Sequence, residues 1–319
     1  MRRRVPFRRA VAAAATAVAC ALPAAASAGP PSLHDGAVPV PGPEVPVTPT
    51  PVPPDPSPSP PALTAERRER LARSLDRYLE GRRGRLSVAV RDLETGLGFS
   101  YEPRLRTATA SIVKVEIVVA LLLKAQREDR APTAAERSLA ERAVTVSDND
   151  AATALWHAIG GGRGLARAGK RLGFEDTEPG PGTAWGATTT SAADQVRLLA
   201  ALAAEDGPLT ERNRRYVLDL MEKVAPEQAW GVSSAAGQDA ADTANAEVAL
   251  KNGWLPREVD GGAWTVNSIG RVRTGGHDLL IAVVSDRHPS MAAGVAAVEH
   301  AAAAVAGALA DAADAAASR

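Results

Sequence analysis

Ser111 and Lys114 are the pair of side chains in this sequence that could together carry out nucleophilic chemistry. They are three residues apart, at the start of an almost wholly apolar helical segment that runs to about Gln126. Residues three apart share a helix face, so the amine can reach the hydroxyl. A helix that is apolar on every side is buried. Burial lowers the pKa of a lysine, and that suits an amine that must accept a serine proton.

The same two residues also have a structural interpretation. Ser111 could be a helix N-cap, and Lys114 could extend its amine to solvent. Against this, the backbone N–H groups at a helix start are unpaired and could stabilise an oxyanion beside Ser111. A serine and a lysine at this spacing are a weak signal, and alone they favour the structural interpretation.

Two further motifs change that balance. Ser147-Asp148-Asn149 lies at the junction of two helical segments, where a capping loop is the structural alternative. Lys251-Asn252-Gly253-Trp254 ends a strand-like run, where an Asn-Gly turn is the alternative. Together the three motifs supply a nucleophile, two amines and several polar groups.

The elements that must position these motifs follow from hydrophobic periodicity. A helix is predicted from Leu63-Thr64 to Glu80, and then a hairpin of Arg85–Leu93 with Gly98–Tyr101. A block of helical segments follows, and then three strands and a last alanine-rich helix. The order predicts an α+β fold: an antiparallel sheet of about five strands, flanked by N- and C-terminal helices, with an inserted all-helical subdomain.

The composition excludes several classes of protein. The chain has 319 residues, with 37 Lys+Arg against 37 Asp+Glu, and 3% aromatic residues. This balance argues against nucleic-acid binding. One cysteine and five scattered histidines provide no metal-ligand pattern, so a metal enzyme is not expected. We expect a monomer.

The N-terminal region predicts export from the cell. Residues 1–28 have a cationic start, an apolar stretch and an Ala26-Ser27-Ala28 cleavage pattern, which together indicate a signal peptide. Residues 29–62 are rich in proline and predict a disordered linker, so the folded domain is 63–319. Secretion is therefore predicted, with a lipid anchor on Cys20 as the alternative.

The three motifs, in this order and after an export signal, resemble the S-x-x-K, S-D-N and K-T-G motifs of penicillin-binding proteins and class A β-lactamases. The resemblance covers the chain from about Leu63 onward and implies that fold, with a β-lactam or D-alanyl peptide as substrate and a possible cell-wall association. It also implies a role for each motif residue. Ser111 would be the nucleophile, Lys114 its proton acceptor and Ser147 a proton relay to the leaving nitrogen.

The remaining motif residues would bind the substrate. Asn149 would hold the amide side chain, and Lys251 would provide positive charge for the carboxylate. Asn252, Gly253 and Trp254 complete the predicted substrate-binding set. The backbone N–H groups of Ser111 and Trp254 would form the oxyanion hole. The family resemblance also implies that no cofactor is needed.

The sequence also departs from the family pattern. Asn252 stands where the family has Thr or Ser, and the E-x-x-L-N segment that carries the deacylating glutamate is missing. Glu175 and Glu178 are candidates for that base by proximity alone, and Glu116 has no assigned role.

Three hypotheses follow from these motifs and departures. The first is a β-lactamase of class A type that hydrolyses its acyl-enzyme. The second is a penicillin-binding-protein-like D-alanyl peptidase with a long-lived β-lactam adduct. The third is a non-catalytic domain that binds wall peptide.

Overall fold

The computed structural model of the protein describes residues 63–237 and 245–317. The predicted signal peptide with Cys20 and the predicted linker lie outside the described residues. The helices within that part are α1 (Ala65–Leu79), α2 (Val113–Arg127), α3 (Ala134–Thr145), α4 (Asn149–Ile159), α5 (Gly161–Leu172), α6 (Ala192–Ala203), α7 (Glu211–Glu222) and α8 (Met291–Ala317). The strands are β1 (Arg85–Asp92), β2 (Gly98–Tyr101), β3 (Thr107–Ala108), β4 (Thr189–Thr190), β5 (Glu247–Arg257), β6 (Ala263–Thr274) and β7 (His277–Asp286).

Five of these strands form one antiparallel sheet in the order β2-β1-β7-β6-β5. Strands from both ends of the domain therefore meet at its centre, and the predicted α+β architecture is confirmed. Alternate residues of β1 face different cores: Val88 and Val90 pack with α1 and α8, whereas Ala89 packs with the helical block.

Helix α8 is long and apolar enough to cross a membrane by length and composition. Its stripe of Val298, Ala302, Val305 and Leu309 is instead fully buried in the core against the sheet. The helix therefore has the packing of a core helix, as its three-to-four-residue periodicity predicts.

The helical block surrounds α2, of whose 15 residues 12 are buried. The helix predicted from Ser111 begins differently, because Ala110–Ile112 form a 3-10 turn and α2 starts at Val113. Ala110 has a φ of +49°, which allows the chain to turn sharply from β3 into the helix.

The third motif lies within a strand rather than at the end of one. Strand β5 continues past Lys251 to Arg257, and Asn252 and Gly253 pair with Ser268 and Asn267 of β6. The Asn-Gly turn that the sequence allowed is therefore not formed, because the ladder to β6 uses both residues.

Candidate active site

The Ser111 turn is held by hydrogen bonds from distant parts of the chain. Asn267 of β6 donates from Nδ2 to the carbonyl oxygens of Ala108 and Thr109, at 2.8 and 3.0 Å. The Thr109 N–H donates to the Thr188 carbonyl at 2.7 Å, beside the short β3–β4 ladder. These contacts fix the backbone that precedes the half-buried Ser111.

Strand β5 passes directly against this turn at Gly253. A Cβ at Gly253 would lie 2.6 Å from the Ser111 nitrogen, 2.7 Å from the Ile112 nitrogen and 2.8 Å from the Thr109 carbonyl oxygen. Glycine is therefore required here for close approach of two backbones. The first and third motifs meet as the sequence predicts.

Lys114 is fully buried and its amine lies on the second motif. Its Nζ donates to the Ser147 carbonyl at 2.5 Å, to Ser147 Oγ at 3.0 Å and to Asn149 Oδ1 at 2.8 Å. Burial lowers its pKa to about 8, opposed by the nearby Asp148 carboxylate. A pKa of about 8 leaves the amine mostly protonated at physiological pH, but it loses its proton more readily than an exposed lysine does.

The expected hydrogen bond between Ser111 and Lys114 is not formed in this structure. Among the described residues, the Ser111 hydroxyl makes no side-chain hydrogen bond, while Lys114 directs its amine to three oxygens of Ser147 and Asn149. An ammonium has three donors, and these three acceptors satisfy all of them. Catalytic hydrogen bonds are often long in ligand-free enzymes and tighten only with substrate.

The second motif combines the capping and functional interpretations. Asp148 caps α4, since its Oδ1 accepts from the Ala151 N–H at 2.9 Å. Ser147 adopts a left-handed φ of +58°, which is uncommon for a residue other than glycine. Asn149 is exposed apart from its contact with Lys114, so part of its amide is accessible to a ligand.

Lys251 is also fully buried, but its contacts are weaker than those of Lys114. Its Nζ donates to the Asn252 carbonyl at 3.0 Å and to Gln228 Oε1 at 3.5 Å. Burial lowers its pKa to about 7, and repulsion from Lys114 adds to the effect.

The Asn252 side chain holds a loop in the structure, and its predicted part in substrate binding stays a prediction. Its Nδ2 donates to the carbonyls of Gln228 and Trp230, at 2.7 and 2.8 Å, and the residue is fully buried. The Nδ2 group therefore anchors the preceding loop, while Oδ1 has no hydrogen-bond partner among the described residues. The half-buried Trp254 ring packs against Trp230 on that same loop, with 5.7 Å between centroids.

The segment that replaces the glutamate-bearing family segment places an indole beside Lys114. The Trp185 ring centroid lies 5.0 Å from Lys114 Nζ, and Trp185 Nε1 donates to Thr153 Oγ1 at 3.1 Å. Glu175 and Glu178, the candidate bases, are both exposed. Glu175 pairs with Arg197 at 2.8 Å.

Glu116 is buried on another side of α2. Its Oε1 accepts from Gln195 Nε2 at 2.6 Å, and its Oε2 has no hydrogen-bond partner among the described residues. Burial raises its pKa to about 8, so the carboxyl is neutral at physiological pH. It therefore joins α2 to α6 without a buried charge.

Three residues of this arrangement were missed from the sequence: Asn267, Gln228 and Trp185. Each acts across a large separation in sequence, and no local motif marks them. The one available signal was a polar residue within an apolar strand, as at Asn267. In residues 63–237 and 245–317, no group of three or more His, Cys, Asp or Glu side chains could hold a metal ion.

Comparison with known proteins identifies the family. The model of the beta-lactamase enzyme family matches residues 70–135 and 132–313, so the chain belongs to that family. LppW of Mycobacterium tuberculosis, whose name marks it as a candidate lipoprotein, is 31% identical over 172 residues. The match covers 53% of this chain and 54% of LppW, so the chain spans about half the length of the curated relatives it matches.

Solved structures show the same fold at low sequence identity. A class A β-lactamase from Bacteroides cellulosilyticus has a TM-score of 0.63 and 17% identity, over 76% of this chain and 98% of that one. The TLA-1 extended-spectrum β-lactamase has a TM-score of 0.66 and 17% identity, over 76% of this chain and 99% of that one. PBP-A has a TM-score of 0.65 and 19% identity, over 80% of this chain and 99% of that one. The fold is thus common to β-lactamases and a penicillin-binding protein.

Proposed function

We propose that this protein is a serine acyl-transfer enzyme that is acylated on Ser111 by β-lactams and by related D-alanyl amides. The observation that carries the proposal is the buried Lys114 amine, which starts three residues after Ser111 on the chain, contacts the second motif and has a pKa of about 8. Family membership supports a serine-hydrolase-like chemistry.

Acylation would proceed by attack of Ser111 Oγ on the amide carbonyl. The new O–C bond forms as the C–N bond breaks, and the serine proton moves to neutral Lys114. Ser147 then delivers a proton to the leaving nitrogen, for which its 3.0 Å contact with Lys114 Nζ provides a path. The backbone N–H groups of Ser111 and Trp254 are the proposed oxyanion donors.

The substrate carboxylate would bind at the third motif. Lys251 has only two polar contacts, at 3.0 and 3.5 Å, so an added anion would complete its coordination. The exposed Asn149 would hold the amide side chain of the substrate. Gly253 contributes its backbone, whereas the Asn252 amide is already used by the loop.

The acyl-enzyme is proposed to be long-lived, as in a penicillin-binding-protein-like peptidase. Hydrolysis needs a base to activate water. Glu175 and Glu178 are exposed, Glu175 pairs with Arg197, and Glu116 is bonded to Gln195. A variant of PBP-A is known as an acyl-enzyme complex with penicillin G, and PBP-A shares this fold.

Efficient β-lactam turnover is the second candidate, and the family description favours it. In that case the chain would be a β-lactamase of class A type that uses an unrecognised base. A non-catalytic wall-peptide-binding domain is the third hypothesis and becomes an outcome of the test below.

Intact-mass measurement over time, after mixing with benzylpenicillin, separates these functions. We expect an adduct of one penicillin that persists for many minutes, and its loss in Ser111→Ala. Ser100→Ala is the matched control, because Ser100 is an exposed serine on β2 and its loss leaves the adduct unchanged. A transient adduct with product release would indicate a β-lactamase. Binding without any adduct would contradict the proposal.

The peptidase activity has its own test. Release of D-alanine from a synthetic wall pentapeptide is expected from the wild-type protein and not from Ser111→Ala. A protein that forms the adduct but releases no D-alanine would restrict the proposal to β-lactam acylation.

We also propose that residues 1–28 direct export, that 29–62 are a spacer, and that the catalytic domain is 63–319. The name of the related LppW supports the alternative of a lipid anchor at Cys20. Mass measurement of the mature protein from its native host distinguishes the two. Cleavage after Ala28 gives an unmodified chain, and lipidation gives a chain that begins at Cys20 with added acyl mass.

A further inference from the structure

The Trp185 indole lies against Lys114 and is hydrogen-bonded to helix α4. Its Nε1 donates to Thr153 Oγ1 at 3.1 Å, and the Thr153 hydroxyl donates to the Asn149 carbonyl at 2.9 Å. The ring is thus connected to α4, the helix that begins with Asn149. The ring face lies 5.0 Å from Lys114 Nζ, within the distance of a cation–π contact.

The turn that carries Trp185 is fixed to its surroundings. Gly180 donates its N–H to Thr188 Oγ1 at 3.0 Å, and Trp156 Nε1 donates to the Gly182 carbonyl at 3.0 Å. A Cβ at Gly186 would lie 3.9 Å from Ala110, so the turn also packs against the residue before Ser111. The indole position is therefore set by several contacts.

Lys114 has no ion pair in the described part of the chain. Its three acceptors are a carbonyl, a hydroxyl and an amide oxygen, all of them neutral. The charges that act on it are Asp148, which favours the ammonium, and Lys251, which repels it. The face of the indole is thus an additional attraction for the cation in a buried site.

We propose that Trp185 is a positioning residue for Lys114, and that its ring face favours the ammonium form directed at Ser147 and Asn149. The proposal rests on the proposed function only in taking Lys114 as the base. Trp185 then sets the pH at which the amine becomes neutral and free to accept the Ser111 proton.

The expected effect is a change in the pKa of Lys114. A cation–π contact in a desolvated site corresponds to a pKa shift of about 1.5 units. Trp185→Leu keeps an apolar side chain and removes the ring, so the pKa of Lys114 is expected to fall by that amount. Trp185→Phe keeps an aromatic face and should give a smaller decrease.

The test is an NMR titration of the ligand-free protein with 13C-labelled lysine side chains. The chain has five lysines, so the Lys114 signal can be assigned with Lys114→Arg. Trp264→Leu is the matched control, since Trp264 is another half-buried tryptophan, on β6, and its loss leaves the pKa of Lys114 unchanged. An unchanged Lys114 pKa in Trp185→Leu would overturn the proposal.

A second variant covers the case in which Trp185→Leu does not fold. Thr153→Val keeps the indole and removes the acceptor of its N–H, and should lower the pKa of Lys114 in the same direction. No change in this variant or in Trp185→Phe would then overturn the proposal. The titration needs no substrate, so a lowered pKa in a protein that forms no penicillin adduct would contradict the proposed function alone.

Discussion

Lys114 and Lys251 are both fully buried amines with lowered pKa values, but their hydrogen bonds differ in number and length. Lys114 lies in a helix and has three acceptors within 3.0 Å. Lys251 lies in a strand and has one acceptor at 3.0 Å and another at 3.5 Å. This contrast fits the two proposed roles: the amine of Lys114 is satisfied by the protein and exchanges a proton, while the under-coordinated amine of Lys251 can accept an incoming anion.

Removal of the two amines should therefore have unequal effects on acylation. Lys114→Met removes the proposed general base and is expected to slow the acylation step by about 10²–10⁴-fold. Lys251→Met should mainly weaken binding of the penicillin before acylation. Measurement of adduct formation against penicillin concentration separates the rate from the affinity. Equal losses of acylation rate in both variants would show that Lys114 and Lys251 do not have separate roles in proton transfer and binding.

Gly253→Ala tests whether strand β5, which carries Lys251, must approach the Ser111 turn, which leads into the helix that carries Lys114. The added Cβ would lie 2.6 Å from the Ser111 nitrogen, so the strand or the turn has to move. We expect a loss of about 1–3 kcal/mol in the free energy of unfolding, together with slower acylation. Denaturant unfolding and the adduct assay provide the two measurements.

Gly307→Ala in α8 is the matched control for that substitution. A Cβ at Gly307 would meet no atom within 4 Å, so stability should be unchanged or slightly increased. An intact Ser111 turn with normal acylation in Gly253→Ala would show that close approach of β5 is not required.

The pH dependence of penicillin binding should sharpen the role of Lys251. Its pKa of about 7 in the free protein means that the cation is present below pH 7 and lost above it. Affinity for the carboxylate should therefore fall as pH rises from 6 to 8, by up to about tenfold per unit. Lys251→Met should give a flat profile. A wild-type affinity that rises over this range would contradict the assignment.

Glu116 is a third buried ionisable group, and its carboxyl lies outside the candidate active site. Its folded-state pKa is raised to about 8, so the folded state holds a proton that the unfolded state loses near pH 4.5. The free energy of unfolding should fall as pH rises between these values, by up to about 1.4 kcal/mol per unit. Glu116→Gln should remove this slope in denaturant unfolding at pH 5, 6 and 7. An unchanged slope would mean that Glu116 is ionised in the folded protein.

Much of the fold was predictable because its signals are local. The alternation of Leu86, Val88 and Val90 marks β1, and the apolar run after Lys114 marks the buried helix. The three motifs also meet as the family resemblance implies.

The interior of the site was less predictable, because its contacts join distant parts of the chain. The direction of the Lys114 amine depends on Ser147 and Asn149, which lie at the junction of α3 and α4. Likewise, Trp185 reaches Lys114 from a segment whose sequence indicates only a loop. The spacing of Ser111 and Lys114 predicts a shared face but does not determine which acceptor the amine selects.

Peptide mapping that locates the penicillin on the chain shows whether Ser111 is the acylated nucleophile. Tryptic cleavage after Arg106 and Lys114 releases residues 107–114, a short peptide that contains Ser111. We predict that this peptide gains the mass of one penicillin and that fragmentation assigns the added mass to Ser111. An unmodified 107–114 peptide, with the adduct on another residue or on none, would show that Ser111 is not the nucleophile.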